Sequence, residues 1–144
     1  MNYPELYEEM QSLLGDEPDF IARAVNFAAL LYLRIPDLNW CGFYFLRDDT
    51  LVVGPFQGKP ACFRIPIAKG VCGTAVARRE TIIVPNVHEF PGHIACDGCS
   101  NSEIVVPLYH NDGAIYGVLD LDSFRFNRFN ENDKAGLEKL VKLL

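Results

Sequence analysis

Two apolar runs, SEIVVPLYH over residues 102–110 and AIYGVLDLDS over 114–123, are joined by Asn111-Asp112-Gly113. Asp-Gly between strand-like runs is a strong hairpin signal, because glycine takes the positive φ that a tight turn needs. That hairpin commits the chain to antiparallel pairing, and the sheet it starts must be covered by something. The rest of the chain supplies both partners and cover. Asn39 to Leu46, rich in aromatics, leads through Asp48-Asp49 into Leu51-Val52-Val53 as a second hairpin. Phe63 to Ile67 and Thr81 to Val84 read as a further pair of strands around a short helix over Gly70 to Arg79.

The two ends are helical. Tyr3 to Leu14 has Pro4 near its start and Gly15 past its end. A second helix starts at Asp19, a natural N-cap, and stops before Pro36, with Phe20, Ala24, Phe27, Ala28 and Leu31 on its apolar face. The last, 130–144, is capped by Asn130 and carries Leu137, Leu140, Val141 and Leu144 on one face. The pattern predicts an α+β fold, an antiparallel sheet of about five or six strands flanked by helices from both termini. One domain over 1–144 is expected, with no repeat and no linker.

Composition limits the partners. A chain of 144 residues, 49% hydrophobic and 22% charged, buries about two-thirds of its unfolded surface and needs no staple to fold. A net charge of −6 argues against nucleic acid and anionic membranes. No apolar run approaches the roughly 18 residues of a membrane span, and MNYPELYEEM is acidic and unlike a signal. A cytoplasmic protein is expected. Five cysteines are then not a disulfide framework, since the count is odd and no secretory signal is present. They point to metal binding, thiol chemistry or small buried hydrophobes.

Pro85 to Asn101 is long for a connection inside a compact domain, and such connections usually carry function. His88, His93, Cys96 and Cys99 have spacings compatible with a tetrahedral zinc site, although a lone Cys-x-x-Cys is a weak signal. The alternative is thiol redox chemistry. Cys62 sits in GPFQGKPAC, which reads as a polar, accessible loop, near Lys59 and Arg64, which favour a thiolate. Cys72, in GVCGTA, is placed near a helix start, where backbone N–H groups act the same way unless it is simply packed. Cys41, inside the aromatic strand, reads as core.

Three carboxylates complete the set. Asp120 and Asp122 alternate with Leu119 and Leu121 in VLDLDS, so both acids share one strand face while the leucines face the core. Glu103 begins the neighbouring strand. Close carboxylates raise one another's pKa, which would let one hold a proton and act as a general acid. A solvated strand edge is the bland alternative.

The strings GPFQGKPAC, RIPIAKGVCGTA, TIIVPNVHEFPGHIACD, SNSEIVVPL and GVLDLDS resemble the free methionine-(R)-sulfoxide reductases, enzymes built on the GAF fold. The match runs in register from about Leu38 to Ser123. The resemblance implies that Cys96 is the nucleophile toward the sulfoxide sulfur and Cys62 the resolving thiol that forms an intramolecular disulfide. Cys72 matches a third family cysteine of less settled role. Trp40 matches an aromatic against the methylthio end, and Glu103, Asp120 and Asp122 match an acidic cluster at the sulfoxide oxygen. Thioredoxin as reductant and a homodimer are implied as well, with no metal and no cofactor. Cys99 departs from the family pattern, where a small residue usually stands, so a second resolving thiol is open. The alternative function is a non-catalytic GAF ligand-binding or redox-sensing module. Sensor helices usually continue into an output domain, which is not expected beyond Leu144. A zinc-stabilised domain is the third reading.

Overall fold

The computed structural model describes residues 1–94 and 98–144. Their elements run α1 (Tyr3–Leu14), α2 (Phe20–Arg34), β1 (Leu38–Arg47), β2 (Thr50–Gly58), β3 (Arg64–Pro66), α3 (Gly70–Arg78), β4 (Ile82–Val84), β5 (Ser102–Tyr109), β6 (Ile115–Ser123) and α4 (Glu131–Leu140). The strands form one six-stranded antiparallel sheet in the order β3-β2-β1-β6-β5-β4. None of the described helices is long and apolar enough to cross a membrane.

Strand alternation splits the apolar residues between two cores, one on each face of the sheet. On one face, Phe43, Ile104, Val106, Leu119 and Leu121 pack against Leu6 and Met10 of α1, Phe27 and Leu31 of α2, and Leu137 and Leu140 of α4. Cys41 lies in this core and is fully buried. On the other face, Trp40, Tyr44, Val105 and Val118 pack under Val71, Cys72 and Ala75 of α3. The terminal helices therefore cover one face, and α3 with the connections around it covers the other.

The expected caps are present. Asp19 Oδ1 accepts from the Ala22 N–H at 2.8 Å, and Asn130 and Asp133 cap α4 reciprocally. Gly113 has φ 88° in the β5–β6 turn, and Asp112 Oδ1 accepts from the Ala114 N–H. Three expectations need adjustment. The stretch GPFQG belongs to β2 and not to a loop; the register shift opposite Gly42 and Tyr44 absorbs Pro55, which has no N–H for a regular ladder. The C-terminal helix ends at Leu140 and tightens into a 3-10 turn over Val141–Leu143. Phe20 stays partly exposed at the start of α2, its ring packed on Phe45 and Tyr116.

Candidate active site

Register builds the site. Trp40 on β1 and Glu103 on β5 both pair with Asp122 on β6, one from each side, which puts the three side chains in a row on the α3 face. Two residues along, Gly42 and Val105 pair with Asp120 in the same way. The row between, Cys41–Leu121–Ile104, points into the opposite core. Alternation thus sorts the acids to one face and the leucines to the other, as the sequence predicts.

A cavity of about 40 Å³ lies over this row. Its floor is Trp40, Tyr44, Glu103, Asp120 and Asp122, and α3 supplies Gly70, Val71 and Cys72. His93, Ile94 and Ser100 contribute from the long connection, and Ala61 from the segment after β2. No lysine or arginine is among the described residues that line it. Gly70, at φ 61°, allows Ile94 to pack directly on the start of α3.

The electrostatics follow from burial. Glu103 and Asp120 are almost wholly buried, and Asp122 is partly exposed. Desolvation pushes the Glu103 carboxyl well above its usual range, and the charges of Asp120 and Asp122 add to the effect. Desolvation also raises Asp120, partly offset by hydrogen bonds from Glu103 and Cys72. Glu103 is the acid that keeps its proton, and it donates that proton toward its neighbours. Asp120 Oδ1 is buried and has no hydrogen-bond partner among the described residues. Burial, and then the charge of His88, lower His93 below its ordinary value.

Cys72 differs from expectation. Its place near the start of α3 favours a thiolate, but burial, then the charges of Asp120, Glu103 and Asp122, push the thiol well above its ordinary value. It is a neutral thiol that donates toward Asp120. Cys72 Sγ and one oxygen each of Glu103 and Asp120 lie within 4.8 Å of one another, close enough to share a small cation. The other metal set, His88, His93, Cys96 and Cys99, does not converge among its described members. His88 Nε2 is engaged with Asn101 Oδ1 at 2.8 Å, and the two histidine rings are 6.5 Å apart.

Cys96 lies outside the described residues. Cys62 is partly exposed in the irregular segment between β2 and β3, and its carbonyl accepts from Tyr44 Oη at 3.0 Å. Lys59 reaches Cys99, with Nζ 3.7 Å from Sγ. Tyr44 was not among the residues singled out from sequence. Its signal is the even spacing from Trp40, which places both on one strand face.

Comparison with known proteins decides the family. Residues 21–144 match the GAF domain model. The chain is 54% identical over 142 residues to the free methionine-R-sulfoxide reductase of Escherichia coli, covering 99% of this chain and 86% of the relative. This chain belongs to the free methionine-R-sulfoxide reductase family. The fRMsr of Staphylococcus aureus, solved in complex with substrate, superposes with a TM-score of 0.93 at 51% identity, covering 99% of this chain and 92% of that one. The enzyme of Neisseria meningitidis in complex with its substrate gives 0.94 at 43% identity, covering 98% and 84%. The GAF fold and the reductase family expected from sequence are both correct.

Proposed function

We propose that this chain reduces free L-methionine-(R)-sulfoxide to L-methionine at the Trp40–Asp122–Glu103 row. The observation that carries the reading is a buried Glu103 beside two further carboxyls, which with burial push its own carboxyl up, in a cavity with an aromatic wall and no cationic side chain among its described lining. A substrate with a free ammonium group and a sulfoxide suits that environment. The carboxylates neutralise the ammonium, which a peptide-bound residue lacks, and Trp40 offers an apolar surface to the methylthio end.

The sulfoxide oxygen is a poor leaving group until protonated, and Glu103 is the group placed to supply the proton. In the proposed cycle the Cys96 thiolate attacks the sulfoxide sulfur. The oxygen passes to Cys96, methionine leaves, and Cys96 remains as a sulfenic acid, so the substrate gains two electrons and the cysteine loses them. The Cys62 thiol then attacks the Cys96 sulfur, forming a disulfide and releasing water. Exchange with the dithiol of thioredoxin restores both thiols. His93, Ile94 and Ser100, on either side of the Cys96 segment in sequence, line the cavity and support this assignment.

We also propose a cytoplasmic homodimer. Ile21, Val25 and Leu33 of α2 and Leu13 of α1 leave apolar surface on the outside, which a second copy would cover.

Single-turnover methionine release tests the cysteine roles. Cys96→Ser is expected to release none, and Cys62→Ser to release about one equivalent and stall. A stoichiometric burst from Cys96→Ser would overturn the nucleophile assignment.

A further inference from the structure

Trp40 and Tyr44 are four residues apart on β1, on the same face, with stacked rings 5.8 Å apart. Each directs its polar atom at the same stretch of backbone. Trp40 Nε1 donates to the Lys59 carbonyl at 3.2 Å, and Tyr44 Oη donates to the Cys62 carbonyl at 3.0 Å. The segment between them is irregular, and Pro60 brings no N–H to fix it. At the next residue, the Phe63 carbonyl accepts from the Val53 N–H at 3.0 Å. Cys62 is thus held on one side by a phenol and on the other by the start of the β2–β3 pairing.

The Tyr44 hydroxyl is buried and must find a partner inside the protein. A carbonyl of the peptide that carries Cys62 is a specific choice. Pinning that carbonyl fixes where the Cys62 Cα sits and limits the arc its sulfur can sweep. Disulfide formation depends sharply on such placement, because the Cα atoms must come within about 4.4–6.8 Å and the Cβ vectors must converge.

We propose that Tyr44 is the positioning residue for the resolving step: its phenol holds Cys62 in the place from which the sulfur reaches oxidised Cys96. The inference rests on the resolving role proposed for Cys62. The bond formed in that step is S–S, the bond broken is the S–O bond of the Cys96 sulfenic acid, and the oxygen leaves as water.

Tyr44→Phe removes the hydroxyl and keeps the ring that stacks on Trp40. Rapid mixing with one equivalent of substrate reads two rates, methionine release and loss of the sulfenic acid, the second followed with a 1,3-dione trap. The expected result is that the ratio of sulfenic-acid decay to methionine release drops about tenfold, equivalent to about 1.4 kcal/mol, the upper end of one neutral hydrogen bond. In a Cys62→Ser background, Tyr44→Phe should have no further effect on the sulfenic-acid lifetime, since the step it serves is gone. An unchanged ratio, or an equal drop in both rates, would overturn the proposal while leaving the Cys62 reading intact. Normal cycling by Cys62→Ser alone would overturn the Cys62 reading itself, and the Tyr44 role with it.

Discussion

Glu103 on β5 pairs directly across the ladder with Asp122 on β6. Like charges placed opposite each other on a sheet repel, and burial of Glu103 makes the repulsion costly. The chain resolves it by keeping Glu103 protonated, which turns an electrostatic conflict into a hydrogen-bond donor. In the proposed cycle that donor protonates the sulfoxide oxygen.

Glu103→Gln tests this through stability as well as activity. Because the folded carboxyl titrates above its ordinary value of 4.5, the folded chain holds a proton that the unfolded chain gives up. Its contribution is fully present below the unfolded value and is lost as pH rises through the folded value. Gln removes that loss, so the stability of the variant relative to the parent should grow with pH above about 4.5. Urea unfolding between pH 4 and 8 measures it. Turnover should fall by about 10²–10⁴, the usual contribution of a general acid. Parallel stability curves would show that Glu103 ionises normally in the fold.

The cysteines should differ in reactivity. Burial and three nearby acids keep Cys72 a neutral thiol, and Cys41 is sealed in the other core. Cys99 is exposed. Brief iodoacetamide treatment of the native protein at pH 7 should alkylate Cys99 and leave Cys41 and Cys72 unmodified until the protein unfolds. Peptide mass mapping checks this. Modification of Cys72 at the rate of Cys99 would contradict its placement.

Gly58 should be intolerant of a side chain. Its φ is 128°, and an added Cβ would lie 2.8 Å from both the Asn39 carbonyl oxygen and Trp40 Cδ1. Gly58→Ala is expected to cost about 1–3 kcal/mol. It should also shift the fluorescence of Trp40, the single tryptophan of the chain. Thermal unfolding and an emission spectrum read both effects. An unshifted spectrum at parent stability would show that the end of β2 does not depend on this glycine.

Tyr3→Phe separates stability from function. The Tyr3 hydroxyl donates to Asp133 Oδ1 at 2.6 Å, both residues being buried between α1 and α4 on the face away from the cavity. Losing a bond to a charged acceptor should cost about 1.5–3 kcal/mol. Turnover below the melting range should be unchanged. Denaturant unfolding alongside a rate measurement decides it.

Much of the site was legible locally. The alternation in VLDLDS sorts Asp120 and Asp122 from Leu119 and Leu121 without reference to any other strand. The Asp-Gly turn at 112–113 brings Glu103 beside them. What the sequence hides is register between distant strands. Nothing near Trp40 indicates that it lies opposite Asp122, because that pairing joins residues from two hairpins. The fate of Cys72 is hidden for a related reason. A helix start argues for a thiolate, but burial opposes it, and so do the acids that β5 and β6 bring to the thiol. Tyr44 reads as one aromatic among several until its hydroxyl is seen against the Cys62 carbonyl.

The most direct measurement of the central claim is steady-state turnover with a thioredoxin system, on both epimers of free methionine sulfoxide and on the same sulfoxides within a peptide. The account predicts rapid reduction of the free R epimer and little of the S epimer or of either peptide form. Comparable rates on both free epimers, or efficient repair of the peptide, would contradict it.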